Sequence, residues 1–593
     1  MGASTCDHAF GIRAGFVNVS NARAARAGRQ VRWSAVCAVL GAVMAVPAHL
    51  AGEESVSPGP DRFIEAVQVF ADQVLEHGRD RYGEAHTPLF VDRLEVRNLA
   101  AADKRSNFAT QQNLMRTLVG LTALTGEDRY RDAAEQAAAH MFAHHRSPSG
   151  LLHWGGYVYI DLESGEYRGP RNDEHSLRGH IPFYEFLYEV DPEATTQFMR
   201  AFWNSHVLDW GTLMFCRRGG TRANWDVPMG RLWDHEYEAP GPFIRTRRTL
   251  AFIHSGTDMI YAAAMLDLLA DEREAWTWGE RLARKYVEAR HPETGLGVVQ
   301  YNVLEAIRSL PDGDGPLPTV THYGDRAKNQ FASTGSSDPQ DEDYNPLKGK
   351  IAADGEPVAR EPWSLFRGSP RSIYQTNALV QLHVGEQLGE RGQPLVTWTV
   401  NGLKAYAEHA YDVEDDRFRP MWADGTDLTN LRLPRTGYFG RKGELFTVSV
   451  EHAAMLLSYA RAWRLSGDEQ LWPTVRALAK GRGLGDFGRE PGGAAGMNLK
   501  TDHDDPRTLL ALLELADGAA DREAYLALAE RIGDNILEQR VRNGLFVSSP
   551  EECLAMVDAI EPLALLAVAA ARLDRGDQMP AILPLRGAVL LGR

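Results

Sequence analysis

Three stretches of this chain gather residue types that bind and activate anionic, hydroxyl-rich ligands. The first runs from Trp154 to Tyr188 and holds His175, Arg178, His180 and Glu185 within eleven residues. His175 and His180 are five apart, with Pro182 just beyond. Zinc pairs on a helix are spaced i, i+4 with an intervening Glu. A two-histidine metal site, a packed His180 at a helix start and a catalytic or substrate-binding role all stay open. The second stretch is Cys216-Arg217-Arg218-Gly219-Gly220-Thr221-Arg222, followed by Asn224, Trp225 and Asp226. Each guanidinium offers a planar fork of donors that matches a carboxylate, and paired glycines let a ligand approach the backbone; the alternative is a solvated loop paired with the chain's acids. The third is Arg435-Thr436-Gly437-Tyr438-Phe439-Gly440-Arg441-Lys442-Gly443, again basic, aromatic and Gly-rich. His322-Tyr323-Gly324-Asp325-Arg326 is a weaker fourth. Trp154, Trp225, Trp233 and Trp422 fall in loops, where an indole can stack on a sugar ring, although each also suits a core.

The elements around these loops repeat one unit. Apolar residues at helical spacing run through Ser106–Thr125, a polar turn follows, and Tyr130–His145 reads as a second helix. The same grammar pairs 250–269 with 275–290, 373–388 with 395–410, 448–465 with 469–479, and 508–515 with 523–538. Short Gly-containing extended pieces follow the second helix of most pairs. One hairpin cannot bury its apolar face alone, so such hairpins stack. Long irregular loops after each second helix suit a closed ring better than an open solenoid. The reading is an all-α fold: an (α/α) toroid of six to seven helical hairpins over residues 60–575, with long loops and short β-strands at one mouth. Residues 310–361, rich in Gly, Asp, Pro, Ser and Lys, read as a long loop insertion, and 576–593 as a C-terminal tail.

Charge and termini bound the function. The formal net charge is −16 over 593 residues, with no sustained Lys/Arg run after residue 32, which argues against nucleic acid as a partner. Arg23, Arg26, Arg29 and Arg32 precede a short apolar run, Trp33–Val46, and then Pro47-Ala48, the pattern of a signal peptide over residues 1–48. That run is short for a membrane span, so the mature form is expected to be secreted or periplasmic, with no membrane association. Removing residues 1–48, with five Arg and one Asp, takes the charge to −20.

Several motifs resemble the pectic acid lyase family, pectate disaccharide-lyases with an (α/α)7 toroid. They are Thr87-Pro88-Leu89-Phe90-Val91-Asp92, Ser106-Asn107-Phe108, Gln111-Gln112-Asn113-Leu114, Leu118-Val119-Gly120-Leu121, Leu151-Leu152-His153-Trp154-Gly155-Gly156, His180-Ile181-Pro182-Phe183-Tyr184-Glu185, Ala201-Phe202-Trp203-Asn204, Gly437–Gly443 and Gly483-Leu484-Gly485-Asp486-Phe487-Gly488. The resemblance covers roughly residues 80 to 570. It implies β-elimination on a polygalacturonate or related uronan: a basic Arg removes the C5 proton while a divalent metal or cationic side chains neutralise the carboxylate. In the family's Arg-His pair this chain reads Arg217-Arg218, so the base is kept and a metal ligand is gone. Tyr157 and Ser176 likewise stand where the family has His and Glu. The cofactor therefore stays unassigned, and Arg218 is the candidate replacement for the metal. The implied site is Arg217, Arg218 and His180 as catalytic residues, with Trp154, Tyr157, His175, Arg178, Trp225, Arg441 and Lys442 binding an acidic polysaccharide or oligosaccharide.

Rival readings are a glycoside hydrolase or sugar epimerase on the same toroid, or an inactive acidic-glycan-binding homologue. A hydrolase needs two carboxyl groups facing across the scissile bond. Asp161, Glu185, Asp226 and Asp325 are available, with no spacing that selects a pair.

Overall fold

Fourteen α-helices alternate between two concentric rings among the residues that the computed structural model describes. Those residues are 59–155, 158–168, 175–176, 181–219, 232–239, 251–301, 330–331, 335–348, 371–437 and 439–583; of 175–176, 218–219 and 371–372 only the backbone is described. The helices are α1 (Asp61–His77), α2 (Gln112–Thr125), α3 (Asp128–His144), α4 (Tyr184–Val190), α5 (Pro192–His206), α6 (Ile253–Ala270) and α7 (Arg273–Glu288). They continue with α8 (Asn377–Gln387), α9 (Gln393–Ala410), α10 (His452–Ser466), α11 (Trp472–Gly481), α12 (Pro506–Gly518), α13 (Arg522–Arg540) and α14 (Glu561–Arg572).

The even-numbered helices touch in sequence, α4 to α6 to α8 to α10 to α12 to α14 to α2. The gap between α2 and α4 is closed by side chains. Gln112 accepts the Phe183 N–H at 2.9 Å, and the Arg116 guanidinium lies 4.8 Å from the centre of the Phe183 ring. Each odd-numbered helix backs its even partner, and α1 backs α14, so the two ends of the chain complete the seventh hairpin. The fold is an all-α (α/α) toroid of seven hairpins. An inner helix is covered on nearly every side, so it must be apolar nearly all round. In α6 only Leu268 to Ala270, at its far end, and His254, in its first turn, are less than buried.

The two mouths differ because the connections differ. Inner-to-outer turns are short. They are closed by left-handed residues such as Gly126 (φ 76°) and Gly467 (φ 64°), or by the Asp191 carboxylate, which caps α5 by accepting the Ala194 N–H. Outer-to-inner connections are long and carry every strand among the described residues. Seven small antiparallel sheets lie there. β1 (Arg93–Glu95) pairs with β15 (Leu554–Met556), and β2 (Arg105–Ser106) joins β3 (Tyr159–Asp161) and β4 (Glu166–Arg168). β5 (His175–Ser176) pairs with β8 (Arg218–Gly219), and β6 (Val207–Asp209) with β7 (Met214–Phe215). All the inner helices therefore start at one loop-rich mouth.

One sequence expectation is revised, and two further segments are packed. The helix expected over Ser106–Thr125 begins only at Gln112; Arg105–Ser106 is strand β2 and Phe108–Thr110 a 3₁₀ turn. The described part of the 310–361 insertion is not loose. Phe331 and Leu347 share a small buried core with Trp422, Leu428, Leu431, Leu433, Phe439 and Phe446, and the Gln330 amide bonds the backbone of Arg435, Phe439 and Gly440. Residues 576–583 pack rather than trail. Arg575 donates to the carbonyls of Ala123 and Leu124, Met579 lies against Gly120, the Ala581 carbonyl accepts from Arg116, and Leu583 is buried. Residues from Gly59 onward make one compact unit. The signal-peptide expectation, residues 1–48, lies outside the described residues.

Candidate active site

Five of the family-like motifs are bound to each other at the loop-rich mouth. The Asp92 carboxylate accepts the Asn107 N–H at 2.8 Å and the Gln111 amide at 3.0 Å, and Asn107 donates to the Gly155 carbonyl at 3.2 Å. Burial pushes the Asp92 carboxyl up to about 7, against the pull of those two donors. The segment after Trp154 is thereby fastened to the start of α2, and Gln112 fastens Phe183 beside it.

Arg217 is held from α5. His206, the last residue of that helix, is fully buried and is kept neutral, its pKa lowered to about 4 by desolvation. A neutral imidazole carries one N–H, and Nδ1 donates it to the Cys216 carbonyl at 2.7 Å; Cys216 N–H returns a bond to the His206 carbonyl at 3.0 Å. Arg217 follows immediately, half-buried, its guanidinium 5.3 Å from the centre of the Phe252 ring. Strand β8 then sets Ser176 opposite Arg218 and His175 opposite Gly219. The first and second sequence clusters are therefore neighbours across one ladder.

The remaining expected site residues fall as follows. Arg441 and Lys442 are exposed on the connection from α9 to α10, at the same mouth, with Arg441 N–H bonded to Glu444 and Lys442 N–H to Thr436. Tyr157, Arg178, His180 and Trp225 lie outside the described residues, as do Asp226, His322 and Asp325. Trp154 does not offer a face for a sugar. It is 1% exposed, with Phe108 edge-on at 6.2 Å and Phe198 at 5.5 Å. Trp422 is buried in the small core, and Trp233 packs on Trp203 while its indole N–H bonds Glu272.

Spacing alone did not single out the polar groups on the inner helices. His254, Asp258 and Tyr261 stand at i, i+4 and i+7, one stripe along α6 running from the mouth into the bore. The Tyr261 hydroxyl donates to Glu185 at 3.3 Å, and its ring lies 5.4 Å from Tyr184 and 6.1 Å from His383. Burial, reinforced by Arg461 and Arg116, lowers the His383 pKa to about 3. Ser255, Thr257 and Asp267 on α6 are polar too, so no local signal set His254, Asp258 and Tyr261 apart.

Arg218 and Ser176, which stand where the resemblance puts two ligands of the divalent metal, do not fit that role. Arginine is a permanent cation with five donors and no acceptor, and the two residues face each other across one ladder. Among the described residues no group of three or more His, Cys, Asp or Glu is arranged to hold a metal.

The sequence matches the family described as periplasmic pectate lyase over residues 87–590. It is 30% identical over 546 residues to a pectate disaccharide-lyase of Dickeya dadantii (strain 3937), covering 89% of this chain and 92% of that one. Solved structures similar to it include a cellobiose 2-epimerase from Bacillus thermoamylovorans, at 10% identity and TM-score 0.38 over 71% of this chain and 88% of that one. A family 76 glycoside hydrolase from Bacteroides thetaiotaomicron has 10% identity and TM-score 0.37 over 87% and 99%. At such scores neither bears on substrate, and the ring described above rests on its own helix contacts. On the length and identity of the sequence matches, the chain belongs to the periplasmic pectate lyase family.

Proposed function

We propose that this protein cleaves polygalacturonate or a closely related uronan by β-elimination, without the metal its relatives' chemistry would call for. Arg217 takes the C5 proton. The electron pair left behind forms the C4–C5 double bond as the C4–O4 bond breaks. Arg218 meets the carboxylate whose charge grows as C5 is deprotonated, the kind of electrostatic help that dominates many active sites. A guanidinium acts as a base only in a desolvated, cation-rich setting. The half-buried position of Arg217 against Phe252, next to a second arginine, supports that role. The observation that carries the reading is the β5–β8 ladder, which sets Ser176 opposite Arg218 beside a doubly hydrogen-bonded Cys216. Arg441 and Lys442, exposed at the same mouth, bind further carboxylates along the chain. The product leaves the enzyme in the periplasm or outside the cell, after residues 1–48 have been removed; no helix among the described residues is long and apolar enough to cross a membrane.

Purified protein incubated with polygalacturonate should generate the ultraviolet absorbance of a C4–C5 unsaturated uronide. New reducing ends without that chromophore would mean hydrolysis. Binding of oligogalacturonates with neither product would mean a glycan-binding protein that has lost its chemistry.

A further inference from the structure

We infer that His254 is the acid that protonates the departing O4 oxygen. This rests on the β-elimination reading and adds the second proton transfer, which that reading leaves to the solvent.

The case begins with burial. From Ala251 to Asp267 each residue is buried except His254. Its partial exposure is the exception among these seventeen residues. Its place explains the exposure, since His254 sits in the first turn of α6, where the inner helices open onto the loop-rich mouth. Its ring stacks on Phe252 at 5.4 Å between centres and an interplanar angle of 22°. The Arg217 guanidinium packs on the same ring at 5.3 Å. His254 and Arg217 are thus at most 10.7 Å apart, the two contacts laid end to end.

That upper bound leaves room for the separation that the chemistry needs. C5 and O4 of a uronate are two bonds apart. A base and an acid that each approach within about 3 Å of their own atom sit within roughly 9 Å of each other. Other titratable or charged groups nearby are Asp258, one turn on along the same helix face, and Tyr286 of α7, whose hydroxyl donates to the Ala251 carbonyl. The step balances without an oxidant or a further reactant. The C5–H pair becomes the C4–C5 π bond, the C4–O4 pair leaves on oxygen, and that oxygen takes the proton from His254. Arg217 and His254 then exchange one proton each with water.

The test uses His254→Gln and His254→Ala in the full-length protein, assayed by chromophore release from polygalacturonate across pH. Turnover by the unaltered protein should show an alkaline limb from loss of the acid. In both variants kcat should fall 100-fold or more, that limb should vanish, and KM should move less than threefold. Added imidazole should restore His254→Ala by at least tenfold. Variants with kcat within threefold of the parent, or an alkaline limb left in place, would overturn the assignment. If neither variant folds, diethyl pyrocarbonate labelling of the unaltered protein decides. Protection of His254 by oligogalacturonate supports the role, and labelling unaffected by the ligand overturns it. An unaltered protein that makes no chromophore at any pH removes the elimination reading itself, and His254's part with it; normal chromophore from the variants removes only His254.

Discussion

At the scale of single residues, the site turns on what Arg217 and Arg218 each do. If Arg218 replaces a metal, turnover survives a chelator, and Arg218→Ala loses roughly 3–4 kcal/mol of transition-state stabilisation, read as a fall in kcat/KM on polygalacturonate with and without EDTA. Arg217→Lys should lose at least 100-fold in kcat, because the ammonium has neither the fork nor the reach of the guanidinium. Restoration of either variant by calcium would refute the metal-free reading. The sequence exposed these two because paired arginines beside paired glycines are rare enough to notice. It hid His206 and His254, which are lone histidines inside helical runs. One of them is a buried positioning group bonded to Cys216 and the other stands in the first turn of α6, and no local pattern separates those two fates. The loop tryptophans misled for the opposite reason. Trp154 and Trp422 lie in loops along the chain and in cores in space.

At the scale of elements, hydrophobic spacing revealed five hairpins and missed two. The pair α4–α5 escaped because α4 has only seven residues and a single Asp191 separates it from Pro192, so the stretch reads as a break. The pair α14–α1 escaped because its halves are at opposite ends of the chain. The start of α14 is latched to its inner neighbour α2 by Asp558, whose buried carboxylate accepts the N–H groups of Asn113 and Leu114 at 2.7 and 3.0 Å, in the first turn of α2. Asp558→Ala strands both donors and should cost about 2–4 kcal/mol in urea unfolding. Asp558→Asn should cost less, because it keeps an acceptor and discards a charge that burial already disfavours, as the raised pKa of Asp558 records. Equal losses in the two variants would mean the latch is not a hydrogen-bonded cap.

At the scale of the molecule, the ring buries titratable groups of both kinds, and their pH dependences oppose. His206 and His383 have folded pKa values lowered to about 4 and about 3. Below pH 6.5 the unfolded chain takes up protons that the fold refuses, so these two make stability fall as the pH drops toward 4. Asp92, raised to about 7, acts the other way. Its unfolded form ionises near pH 4 while the folded carboxyl stays protonated to near neutrality, so it makes stability fall as the pH rises from 4 to 7. Asp92→Asn keeps an acceptor for Asn107 and Gln111 and removes the opposing effect. Its melting temperature should therefore climb more steeply between pH 4 and 7 than the parent's, by the equivalent of up to about 1.4 kcal/mol per pH unit. Parallel curves would show that Asp92 titrates as an ordinary carboxyl.

The closing of the ring by the two ends of the chain also sets a timetable. Arg62 bonds Asp534 across 472 positions of sequence, and Asn113 bonds Asp558 across 445. At about 5–20 residues per second, most of a ribosome's work on this chain is finished before the last member of the ring exists. Until then the growing protein is an open arc of hairpins with an apolar flank at each end, the state in which holdase chaperones and proteases compete for it.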